Sequence, residues 1–121
     1  MKKIKAVIII CMLVLAGCYY DKEELLYPAG ACDTANVSYT NSVLPALQNY
    51  GCIGCHSGTT PSGNISLGSY ADVKTAALNG KLYGSINHMS GYSPMPKGGN
   101  KMNVCTISKI KAWIDDGALN N

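Results

Sequence analysis

The chain has 121 residues, a length that leaves one domain once a targeting segment is set aside and excludes a large enzyme with a separate cofactor domain. Its formal charge of +3 comes from Lys2, Lys3 and Lys5; the remainder balances 7 Lys against 7 acids and lacks the basic face of a nucleic-acid binder. With 47% hydrophobic and 14% charged residues it is not a disordered chain either.

Residues 1–17 have the three-part pattern of an export signal. Lys2, Lys3 and Lys5 give the positive start, Ala6 to Leu15 the apolar run, and Leu15-Ala16-Gly17 the small residues ahead of Cys18. Ten apolar residues are too few for a permanent spanning helix. The quartet ending in Cys18 resembles the bacterial lipobox, in which the cysteine is lipidated and becomes the first residue of the mature protein. A cleaved signal with Cys18 incidental, or a retained anchor helix, are the alternatives. Lipidation would place the mature chain outside the cytoplasm, anchored to a bacterial membrane through Cys18. Residues 18–36 then form a tether and N-terminal extension. Its stretch Tyr19-Tyr20-Asp21-Lys22-Glu23-Glu24 reads as a solvated linker or, alternatively, a sorting signal.

Thr40 to Tyr50 is predicted as the first helix, with Val43, Leu44 and Leu47 at helical spacing and Asn41 or Ser42 as cap. Pro45 is tolerable within its first turn. The helix leads into Cys52-Ile53-Gly54-Cys55-His56, considered below. Ser57 to Gly68 is a polar loop holding Pro61, Gly63 and Asn64. Ser69 caps a second helix to Leu78, which Asn79-Gly80 ends. Lys81 to Asn87 forms a further helical turn with Leu82, Tyr83 and Ile86 on one side. Gly91 to Met102 is a loop, since Gly91, Pro94, Pro96, Gly98 and Gly99 forbid regular structure. Thr106 caps the last helix, which runs to about Asp116, buries Ile107, Ile110, Trp113 and Ile114, and ends at Gly117. Asp115 and Asp116 stand at the end where the helix dipole favours cations, which the sequence does not explain. No strand pair or internal repeat is visible.

The six cysteines sort by position. Cys11 leaves with the leader and Cys18 takes the lipid. Cys52, Cys55 and His56 form C-x-x-C-H, the attachment signature of c-type haem. Two thiols three positions apart on one helical turn meet two vinyl groups of one porphyrin, and the adjacent imidazole falls beneath the iron. A thioredoxin-like dithiol would need a βαβ context that the chain lacks. Structural zinc on Cys52, Cys55, His56 and His88 is the other reading, although zinc sites usually separate their ligand pairs. Cys32 and Cys105 remain, and in an exported domain their default state is a disulfide, with two free buried thiols as the alternative. A chain with no Phe and 13 Gly buries little aromatic surface, and a flat macrocycle would supply the missing core.

The second axial ligand has several candidates. Met95 lies between Pro94 and Pro96, which fix φ on both sides and stiffen a loop that has no helix to hold it. A thioether is soft and favours ferrous iron. Met102 reads as core and Met89 as unconstrained. His88 is the rival, although a lone His beside such a loop is more often a surface residue or a propionate donor. An open position is the remaining alternative. A pocket between His56 and Met95 is expected in the protein portion alone.

Taken with Pro94-Met95-Pro96 and the terminal Trp113-Ile114-Asp-Asp-Gly117-Ala118, the haem motif resembles class I monohaem cytochrome c. More narrowly, it is similar to the small exported lipoprotein cytochromes of Gram-negative bacteria. The resemblance covers Val37 to Leu119 and makes residues 37–121 a cytochrome c-like domain. It implies an all-α helical shell around one covalent haem c, held through Cys52 and Cys55 with His56 and Met95 as axial ligands. The helix before the motif would cross the C-terminal one. A backbone carbonyl after the motif would accept the axial imidazole's Nδ1–H; Pro61 is the expected place, although the family's Gly-Pro-x-Leu pattern is absent here.

A saturated iron leaves no coordination position for substrate, so the expected role is carrying single electrons between redox-protein donors and acceptors, as a monomer and not as an enzyme. Four lysines between Lys97 and Lys111 would form a weakly basic docking face or a merely solvated one. The alternatives are a haem-based small-ligand binder or sensor and a structural zinc-binding module.

Overall fold

Local capping signals and apolar spacing divide the chain into short helices whose ends are fixed by side chains and glycines. The computed structural model describes residues 32–121. The expected leader, the lipidated Cys18 and the acidic stretch of the tether lie outside the described residues. Residues 32–121 form one unit of helices, with no strand among the described residues. No helix among them is long and apolar enough to cross a membrane.

The first helix opens as a π-turn over Tyr39–Val43 and continues as α1 over Leu44–Asn49. Its cap is Ser38, whose hydroxyl accepts the Asn41 N–H at 3.0 Å, so the expected cap at Asn41 or Ser42 moves outward. The wider i→i+5 turn brings the Val43 N–H back to the Ser38 carbonyl and buries both Tyr39 and Val43. Gly51, at φ 70, turns the chain into the single-turn helix α2, Cys52–Cys55.

Helix α3, Tyr70–Leu78, starts as expected at Ser69, whose hydroxyl accepts the Asp72 N–H at 3.2 Å and donates to Asp72 Oδ2 at 2.7 Å. Asn79 closes it. Gly80, at φ 80, then starts α4, Lys81–Ile86, which buries Leu82, Gly84 and Ile86. Helix α5, Val104–Asp115, begins earlier than expected. Asn103 Oδ1, not Thr106, accepts the first free N–H groups, from Cys105 at 2.8 Å and Thr106 at 3.4 Å. Its end matches the expected glycine stop. Gly117 sits at φ 92, its N–H reaching the Ile114 carbonyl and the Ala118 N–H reaching Trp113, the paired bonds of a Schellman cap. One of the two acids at this end is accounted for, because Asp115 pairs with Lys111 one turn earlier. Both side chains are exposed, so the pair adds at most a few tenths of a kcal/mol.

The core joins the two ends of the domain. Val43 and Leu47 from the first helix, Val73 from α3, and Ile110 and Trp113 from α5 are 0–1% exposed. Tyr39 packs on Trp113 with ring centroids 5.8 Å apart and meets Tyr70 edge-on at 5.1 Å. The N-terminal and C-terminal helices are therefore in contact. Met102, 2% exposed, belongs to the core as read from the sequence, and Ile114 is only half-buried. Trp113 donates Nε1–H to the Leu119 carbonyl at 2.8 Å, and Tyr70 its hydroxyl to Ala118 at 2.7 Å. These bonds satisfy the polar ends of two large rings. The shortage of aromatic surface is thus partly met by Tyr39, Tyr70 and Trp113 acting together.

Cys32 and Cys105 form the expected disulfide, Cα–Cα 5.5 Å, tying the segment before the first helix to the start of α5. Closing 73 residues of chain would contribute about 4 kcal/mol in the chain-entropy account. Next to it, the Asn103 N–H donates to the Tyr50 hydroxyl at 3.1 Å. The first and last helices are thus clipped together beside the C-x-x-C-H turn.

Candidate functional site

Helix α2 is one turn long, so Cys52 and Cys55, three positions apart, share a face and both are free thiols. Cys52 is half-buried and Cys55 exposed. Burial pushes the Cys52 thiol up, the bond to its own backbone N–H works against that, and the neighbouring Cys55 adds to the rise. Cys52 therefore stays protonated at neutral pH.

His56 closes this turn, its backbone N–H donating to the Cys52 carbonyl. The ring is buried, 9% exposed, and Nδ1 lies 3.0 Å from the Ile65 carbonyl. A carbonyl only accepts, so Nδ1 carries the hydrogen and the lone pair of the neutral ring is on Nε2. The Leu67 N–H donates to the His56 carbonyl. The loop after the motif is thus closed on His56 twice, through the ring and through the backbone. The expected acceptor at Pro61 is corrected to Ile65. Pro61 instead leads a 3₁₀ turn, Ser62–Asn64, that brings Ile65 round under the imidazole.

Met95 is half-buried and held by its backbone. Its N–H donates to the Ser85 carbonyl at 3.0 Å, and its carbonyl accepts His88 Nε2–H at 2.9 Å. Ser85 and His88 lie at and just beyond the end of α4, so the loop has a helix to hold it after all. Further up the loop, the Met89 N–H reaches the Gly84 carbonyl at 2.9 Å. The Tyr92 ring lies on Gly84 so closely that a Cβ there would fall 2.5 Å from it.

The zinc arrangement is not assembled. Among the described residues no three His, Cys, Asp or Glu side chains group as a metal cage, and His88 Nε2 is engaged by Met95. An open cleft of about 220 Å³ is lined by Asn64, Ile65, Asp72, Ala76 and Lys81, and this cleft does not lie between His56 and Met95. Of the four lysines between Lys97 and Lys111, Lys97 and Lys101 are exposed, Lys109 is half-buried, and Lys111 is paired with Asp115 and lies 5.6 Å from the Tyr83 ring centroid. The residues the sequence did not single out are Ile65, Ser85, Gly84 and Tyr92. None bears a motif, and each acts through backbone or ring position that only the folded loop defines.

The donor set fits a covalently attached haem. Two free thiols on one turn and an adjacent imidazole with its Nε2 lone pair uncommitted are what such a group requires of a protein. Compared with protein families, curated proteins and solved structures, the chain matches none.

Proposed function

We propose that this protein is a c-type cytochrome that carries single electrons between redox proteins, with Cys52 and Cys55 holding one haem as thioethers and His56 and Met95 as axial ligands. On this reading it is an exported, membrane-tethered monomer similar to class I monohaem cytochromes c. When bound, the haem supplies one-electron chemistry at iron.

The observation that carries the reading is the Nδ1–H of His56 held at 3.0 Å by the Ile65 carbonyl, directly after two free thiols on one turn. That bond fixes ring orientation and tautomer before any metal arrives. The engagement of His88 Nε2 supports Met95 over His88 as the second ligand.

Production in a host with haem-attachment machinery tests it. The expected outcome is a red protein with one haem per chain, retained on denaturation and lost in C52A/C55A. The oxidised form should show a sulfur-to-iron charge-transfer band that disappears in Met95→Ala. A colourless product would overturn the reading. Ready carbon monoxide binding by the reduced form at neutral pH would instead support a small-ligand binder.

A further inference from the structure

The Met95 backbone has both its polar groups tied to one place. The N–H goes to the Ser85 carbonyl at 3.0 Å and the carbonyl takes the His88 Nε2–H at 2.9 Å. Ser85 also accepts the His88 N–H, at 3.2 Å. His88 itself stands at φ 55, a left-handed conformation uncommon for a residue with a Cβ, which carries the chain away from α4 and lets the ring reach forward seven residues. Because Pro94 and Pro96 have no N–H to donate, the two bonds at Met95 are the polar contacts that fix its Cα against the helix end.

We infer that His88 is a positioning residue for Met95, holding the thioether in place as an axial ligand by anchoring the Met95 carbonyl. This rests on the cytochrome reading. The sequence offered His88 as a competing ligand of haem iron or zinc, a surface residue or a propionate donor, and the geometry gives it a different role. The physical argument is one of ligand strength. A thioether binds weakly and leaves readily when its backbone drifts, so a loop that exchanges its tie to α4 for solvent raises the fraction of time that the sulfur is away. His88 is exposed, which limits the bond to the modest net contribution of an ordinary hydrogen bond. The expected effect is correspondingly a graded loosening rather than loss of the ligand.

The test uses the haem-loaded protein and three forms: wild type, His88→Ala and His88→Gln. Gln places an N–H near the position of Nε2 and keeps a Cβ at the positive φ, so it isolates the bond from the backbone conformation. Exogenous imidazole is titrated into each oxidised form while the sulfur-to-iron band is followed. Amide hydrogen exchange at Met95 is measured in parallel. His88→Ala should bind imidazole about two- to tenfold more tightly and exchange the Met95 amide faster by a similar factor, and His88→Gln should restore both. Equal imidazole affinity and equal exchange in all three forms would overturn the inference and leave the cytochrome reading intact. A wild type without the band would overturn the Met95 assignment and this inference with it. A band that persists in Met95→Ala would do the same.

Discussion

The two loops that carry the proposed axial residues are built by opposite means. In the 56–67 loop a side chain is fixed: the imidazole is buried and its Nδ1–H is held by Ile65. In the loop after α4 a backbone is fixed: Met95 is tied at N–H and carbonyl while its side chain is only half-buried. On the proposed reading, the difference follows from the two ligands. An imidazole must present one particular nitrogen in one tautomer, so the ring itself needs a partner. A thioether has no tautomer and three rotatable bonds, so placing its Cα is enough.

The largest expected effect separates the two loops directly. His56→Ala removes the donor to the Ile65 carbonyl and empties a buried volume, and should cost about 2–3 kcal/mol of folding stability. Met95→Ala keeps both backbone bonds and should cost less than about 1 kcal/mol. Urea denaturation of the two variants, produced in a host that does not attach haem, measures both. Equal losses would erase the distinction. A smaller effect probes the backbone side alone. Gly84→Ala gains helix propensity but drives a Cβ to 2.5 Å from the Tyr92 ring, which must leave the helix face. A net loss of about 1 kcal/mol is expected, with faster amide exchange at Met89 and Met95 and no change at Leu67. A rise at Leu67 as well would mean that the loops are not independently held.

The helices were legible because their buried faces repeat at helical spacing: Leu82 with Ile86, and Ile107 with Ile110 and Trp113. Their starts were less so. The π-turn at Tyr39–Val43 has a wider repeat than the apolar pattern can register, so the cap at Ser38 lay one turn too early to be seen. The first turn of α5 is led by the exposed Val104, which carries no burial signal, and the apolar stripe begins only at Ile107. At the site, the thiols and imidazole were legible from their spacing because one turn of helix fixes their relation. The acceptor of His56 was not, since which carbonyl reaches the ring depends on how the 3₁₀ turn at Ser62–Asn64 folds the loop. The prolines around Met95 pointed to a stiff loop but not to Ser85 and His88, whose roles exist only once α4 ends beside it.

The smallest expected effect concerns what holds the 56–67 loop to the rest of the protein. Ser66, between the two residues that close on His56, donates its hydroxyl to Asp72 Oδ2 at 3.0 Å, and the same oxygen takes the Ser69 hydroxyl at 2.7 Å. These bonds, that of Ser69 foremost and Ser66 next, hold the Asp72 carboxyl below the usual carboxylate range. The folded group therefore binds its proton less readily than the unfolded one. Its contribution is fully present above the unfolded pKa, about 4, and is lost as pH falls through the lowered folded value. Asp72→Asn lacks that titration. The melting temperature of wild type should exceed that of Asp72→Asn at neutral pH, and the gap should close in acid. Because Asp72 is exposed to solvent, the gap should be small and should narrow in high salt. A gap that stays constant down to about pH 2 would show that Asp72 acts by shape and not by charge. In that case the clasp on the His56 loop would be a matter of neutral hydrogen bonds.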